Sequence, residues 1–120
     1  MSIQSVIRPR ILLTQHFTSR LRNRLKIKTK KARKNFIKGA VRDSLALMDI
    51  PKEKFSFFFV YMSKREHRIR HWKPNLRLFL YRDWFILVDE CDGRMVTIYR
   101  ISRRWRHIYY DIVMAKLYML

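Results

Sequence analysis

The sequence predicts an α+β domain with helices gathered on an antiparallel sheet, and three observations predict it. Between residues 14 and 49 apolar side chains recur at helical spacing. Between residues 55 and 101 short aromatic and β-branched runs alternate with turn signals. A final stretch after residue 102 returns to the helical period. A chain of 120 residues, 48% hydrophobic and 14% aromatic, is long enough and apolar enough to fold as one domain around one core.

In chain order, Pro9 biases Arg8 toward an extended backbone, and Ile11, Leu12 and Leu13 suit a short strand or a buried lead into a helix. Thr14 is a good N-cap for the helix that follows, T-Q-H-F-T-S-R-L-R-N-R-L, residues 14–25. Phe17, Leu21 and Leu25 fall on one stripe of it, and His16, Arg20 and Arg24 on the adjoining stripe. Lys26, Lys28, Lys30, Lys31, Arg33 and Lys34 then form a run of one sign that has to meet solvent or phosphate. From about Thr29 a second helix is expected, with Ala32, Phe36, Ala40 and Val41 on one face, Leu45 and Met48 continuing it to Asp49, and Pro51 ending it.

Phe55–Tyr61, F-S-F-F-F-V-Y, is aromatic and β-branched and predicts a buried strand. The cationic segment Ser63 to Pro74 predicts an outward extension and loop. Two strands follow, Leu76 to Tyr81 and Trp84 to Glu90, turning at Arg82 and Asp83. Asp92-Gly93 between apolar strands is a strong hairpin signal, with Met95 to Ile101 returning. Ser102 is expected to cap a helix from Arg103 to about Leu117. The prediction is one domain over residues 1–120: a short N-terminal strand, two helices, a roughly four-stranded antiparallel sheet, and a C-terminal helix over 102–117.

Charge narrows the function. The formal net charge is +19, from 28 Lys and Arg against 9 Asp and Glu, so a compact chain repels itself and a polyanion relieves the repulsion. Nucleic acid is the default partner, with acidic membrane surfaces and acidic proteins as competitors. The one cysteine, Cys91, excludes an intramolecular disulfide and a multi-cysteine zinc site, in keeping with a reducing compartment. Arg8 and Arg10 interrupt the place of a secretory signal, and the longest apolar run, residues 55–62, falls far short of the ~20 residues of a membrane span. A soluble, cytoplasmic protein is expected.

The pattern T-x-H-F-x-x-R-x-x-x-R (Thr14, His16, Phe17, Arg20, Arg24), a second helix, and the closing hairpin D-G-R-M-V-T-I-Y-R (Asp92 to Arg100) resemble the small ribonuclease toxins of the barnase, EndoU, colicin and RelE-like fold group, and within it the BrnT-like families. The similarity spans about residues 11–101. It implies metal-independent endoribonuclease activity with no cofactor, in which a ribose 2′-hydroxyl attacks the adjacent phosphate. In that chemistry His16 serves as base or acid, imidazole being the side chain that titrates near neutrality. Arg20 and Arg24 clamp the phosphate, and Thr97 and Tyr99 on one strand face supply hydroxyl donors. RelE-like members rely more on late cationic and Tyr side chains, for which Tyr99, Arg100, Arg103 and Arg104 are the candidates here. The implied partners are RNA, free or ribosome-bound, and an acidic antitoxin or inhibitor protein.

Lys28, Lys30, Lys31, Arg33 and Lys34 are expected to hold RNA, together with Arg68, Arg70 and Trp72, whose segment combines cations with a stacking plane. His67 and His71 are four apart, but surrounding cations and the want of a third ligand argue against a metal. Asp89, Glu90 and Asp92 sit beside a turn and read as a solvated hairpin tip rather than a carboxylate pair in a cleft. The alternative to the enzyme is a non-catalytic RNA- or DNA-binding module. Both readings share the same charge.

Overall fold

The computed structural model describes residues 12–118, so Ile11 and the N-terminal segment ending at Pro9 lie outside the described residues. The fold is α+β, as predicted. In order, it runs through β1 (Leu12–Leu13), α1 (Gln15–Arg24), α2 (Lys30–Asp43), β2 (Leu45–Ala46) and a 3₁₀ turn (Leu47–Asp49). It continues with α3 (Ser56–Trp72), β3 (Leu76–Tyr81), β4 (Trp84–Asp89), β5 (Arg94–Arg100), a second 3₁₀ turn (Arg103–Trp105) and α4 (Ile108–Tyr118). The sheet order is β1-β5-β4-β3-β2. β2 to β5 are antiparallel, and β1 adds to the free edge of β5 in parallel.

Both faces of the sheet are covered. Cross-strand pairing puts Phe79, Ile86 and Ile98 on one face and Leu80, Phe85 and Tyr99 on the other. A bulge, in which Val96 is the extra residue between the Leu87–Thr97 and Val88–Met95 pairs, returns Met95 to the face of Ile98. That first face also carries Tyr81, whose ring meets Phe36 of α2 edge-on at 5.4 Å. Its β5 residues, Met95 and Ile98, are fully buried, and α1 packs along β5. The second face belongs to α3, whose Tyr61 stacks on Phe85 at 6.3 Å and whose Arg65 lies over the Tyr99 ring at 5.4 Å. α1 and α2 therefore lie across the sheet from α3.

Three expectations are corrected. Phe55–Tyr61 is not a strand: it opens α3, which also absorbs most of the expected loop from Ser63 to Pro74. The β-favouring residues are overruled by tertiary packing, because Phe58 and Met62, one helical turn apart, are fully buried, and Ile69 continues the stripe two turns on. The cost shows outside, where Phe57 is 79% exposed. The second helix stops at Asp43 and not Asp49, since Ser44 turns extended and Leu45 and Ala46 pair with Leu80 and Phe79 as the fourth antiparallel strand. The C-terminal helix begins at Ile108 and not Arg103: residues 103–105 form a 3₁₀ turn that Ser102 does not cap through its side chain, and His107 adopts a positive φ of 78° before α4 starts.

Other signals hold. Thr29 caps α2 by accepting from the Ala32 amide at 3.1 Å. Arg82 and Gly93 take positive φ, 54° and 69°, at the β3–β4 and β4–β5 turns. Gly39, inside α2, marks a close approach: a Cβ there would collide with the hydroxyl of Tyr81, a side chain boxed in by Phe36 and Tyr109.

Gly39→Ala therefore destabilises the protein by about 1–3 kcal/mol in urea unfolding, although alanine is the better helix former by about 1 kcal/mol. Tyr81→Phe in the same chain, which removes the clashing oxygen, recovers most of the loss. A second prediction concerns pH. Burial, then the Asp43 charge, pushes the Tyr109 phenol up to about 12, and Tyr81 is raised by burial as well. In the unfolded chain these phenols ionise near ~10. Their stabilising contribution is thus intact below pH ~10 and drains away as pH rises toward about 12. The unfolding free energy should fall over that window, and less steeply in Tyr109→Phe.

Candidate functional site

The His-bearing helix is fixed at its first residue. Thr14 donates its hydroxyl to the Val96 carbonyl at 2.8 Å and accepts from the Phe17 amide at 3.0 Å. Its own amide donates to the Met95 carbonyl at 3.1 Å. One residue thus caps α1 and ties it to the bulge of β5, which orients the helix about its axis. Phe17 and Leu21 turn inward and are fully buried. The adjoining stripe is left outward, with His16 and Arg24 exposed and Arg20 half-buried.

On that stripe Arg20 Nε donates to His16 Nε2 at 2.5 Å. In this contact Nε2 is the acceptor, so its lone pair is directed at the Arg20 guanidinium. Burial and then the neighbouring Arg24 charge lower the pKa of Arg20 from the usual guanidinium value. Among the described residues no carboxylate pairs with Arg20 or Arg24. Two guanidiniums with mutual repulsion and no anionic partner favour an incoming phosphate, and Ser19 and Asn23, hydrogen-bonded to each other at 3.3 Å, supply further donors beside them.

Thr97 and Tyr99 do not join this group. Through the register they share a face with Leu87 and Phe85, against α3 and across the sheet from α1. Tyr99 is held there by the Phe85 ring at 5.6 Å and by Arg65, whose Nε approaches its hydroxyl at 3.4 Å. Burial, opposed by Arg65, raises its pKa. Arg65 also lies over Tyr61 at 5.6 Å, so a guanidinium is layered between two phenols. Sequence reading missed Arg65. Its signal was the helical spacing Phe58, Met62, Arg65, Ile69, which a strand assignment hides.

The remaining cations divide by what they touch. Lys28 is exposed in the lead to α2, Lys30, Lys31 and Lys34 are exposed in its first turns, and Arg33 is half-buried there. Arg68 and Trp72 are exposed on α3. Arg70 instead bonds the Leu76 carbonyl at 3.4 Å and Glu90 at 3.3 Å, and Glu90 takes Arg77 at 2.6 Å, so Arg70 braces α3 on the sheet. The acid expected at a solvated tip is the hub of that brace. Arg100 lies 3.9 Å from Asp83 and over Trp84, while Arg103 and Arg104 are exposed in the turn before α4. Among the described residues no group of three or more His, Cys, Asp or Glu could hold a metal ion, and no helix is long and apolar enough to cross a membrane.

Comparison with protein-family models, characterised proteins and solved structures finds no match for this chain.

Replacing Thr14 by alanine removes both the cap and the strand contact, and should lower stability by about 1–3 kcal/mol in thermal or urea unfolding. Thr14→Ser keeps the hydroxyl and should stay within about 0.5 kcal/mol of the parent.

Proposed function

We propose that the protein acts on RNA in the cytoplasm as a metal-independent endoribonuclease of the toxin type, with its scissile-phosphate site on α1. The observation that carries this reading is the 2.5 Å contact from Arg20 Nε to His16 Nε2, beside Arg24 and without a compensating carboxylate among the described residues. A phosphate that recruits Arg20 frees the lone pair of His16, which is then the base for a 2′-hydroxyl. Arg20 and Arg24 stabilise the charge that gathers on the phosphoryl oxygens. The lysines of α2 and its lead hold the rest of the strand by charge. A protein that neutralises such a surface would have to be acidic, as an antitoxin would be.

Placement of Thr97 and Tyr99 across the sheet favours a second reading, a non-catalytic RNA-binding module. Transphosphorylation calls for an acid at the leaving oxygen as well as a base, and these hydroxyls are not beside His16. The two readings part on one variant. With total RNA and a chelator present, the parent should leave fragments ending in 2′,3′-cyclic phosphate. His16→Ala should lower that cleavage by at least about 100-fold, with RNA affinity and circular dichroism near those of the parent. RNA bound but left intact by the parent would establish the module instead, and cleavage unchanged in His16→Ala would remove α1 as the site.

A further inference from the structure

The outer side of α3 takes no part in the α1 site, and its charges are sorted in a telling way. Three of its charged side chains are spent on the sheet. Arg65 goes to Tyr99, Glu66 accepts the Leu78 amide at 2.9 Å, and Arg70 goes to Glu90. Those turned away line an open hollow of about 590 Å³: Lys64, His67, Arg68 and His71, with Ser63. No carboxylate lines it, and no ion pair engages Lys64 or Arg68 among the described residues. Helical spacing puts Lys64 beside Arg68 and His67 beside His71, one turn apart, so donors repeat along the hollow as phosphates repeat along a strand.

At the end of this row stands Trp72, 81% exposed, with the His71 ring edge-on to it at 6.1 Å. Its indole has both the area and the freedom to take a base on its face. The helix end there carries a partial negative charge, so the side-chain cations, and not the helix dipole, would have to hold the phosphates. A duplex satisfies cations but hides its base faces, and an acidic peptide satisfies cations but offers no plane to Trp72. A nucleic acid with unstacked bases satisfies both.

We propose that the α3 hollow is a single-strand binding site, in which Lys64, His67, Arg68 and His71 hold phosphates and Trp72 stacks on a base. This rests on the RNA-binding part of the function above and is independent of cleavage. It assigns the protein single-stranded segments as its preferred target. It also removes Arg70 from the contacting set, since that side chain is committed to Glu90 and Leu76.

The test uses a short 2′-O-methyl oligouridylate, whose blocked 2′-oxygen cannot be cleaved by the proposed chemistry, alone and annealed to its complement. Trp72→Ala should weaken binding of the single strand by about 5- to 100-fold, with duplex binding changed less than about 2-fold, and Trp72→Phe should restore most of the loss. Lys64→Ala with Arg68→Ala should weaken both forms and flatten the salt dependence of binding. A parent that binds the single strand as tightly as Trp72→Ala does would overturn the inference and leave the proposed function standing. A parent that binds neither form would overturn both. Tighter binding of polyglutamate than of the single strand, lost in the Lys64 and Arg68 variant, would overturn it in favour of an acidic protein.

Discussion

Two-sided burial of the β3–β4–β5 meander is the constraint on which the rest of the structure depends. Antiparallel sheets commonly leave one face to water. Here Phe79, Ile86 and Ile98 on one face and Leu78, Leu80 and Phe85 on the other are all fully buried. Helices are needed on both sides, and with so few acidic residues the chain cannot neutralise its cations internally. α1, α2 and α3 resolve this in a similar way, with an apolar stripe toward the sheet and most of their Lys, Arg and His outward. The cationic surface follows from covering a largely apolar sheet with the basic helices α1, α2 and α3.

Three of the acids stand where that arrangement has to be pinned. Glu66 accepts from a strand amide, Glu90 joins Arg70 of α3 to Arg77 of β3, and Asp49 accepts from the Ala46 amide at 2.8 Å as the chain leaves β2. Hydrogen bonds from Arg77 first, and then the surrounding guanidinium charges, hold the Glu90 carboxyl below its usual range. Surface pairs of this kind contribute little singly. Their value here is geometric, since they fix the rotation of α3 and so determine which of its cations face water.

What could be read from the sequence was whatever is decided locally. The Thr14 and Thr29 caps, the Arg82 and Gly93 turns and three of the strands depend on a few neighbouring residues, and each stands where the pattern put it. What could not be read was decided by distant partners. F-S-F-F-F-V-Y favours a strand on propensity, and becomes a helix because Phe58 and Met62 fill the face of the sheet that α1 and α2 leave open. The Val96 bulge was invisible as well, although it shifts the alternation of β5. Of the candidate site, the i, i+4 stripe on α1 was legible because it is intrahelical. Its relation to Thr97 and Tyr99 depends on which face each helix covers, and periodicity is silent on that.

The division of the molecule by its sheet bears on how any chemistry at α1 would have to run. A buried sheet between His16 and Tyr99 keeps the phenol from serving as the leaving-group acid, so a reaction there has to draw its second proton donor from α1 itself or from water. Arg20 is a poor acid even with its pKa lowered. The proposed reaction would therefore require His16 to serve as base and acid in turn. In the proposed reaction the Arg20–His16 hydrogen bond would act as a lock: His16 Nε2 is occupied by the guanidinium, and an anion competing for Arg20 would release it. Under that proposal turnover would depend on engagement of the phosphate rather than on nearness of RNA alone, and Arg20 would have a part in both binding and chemistry.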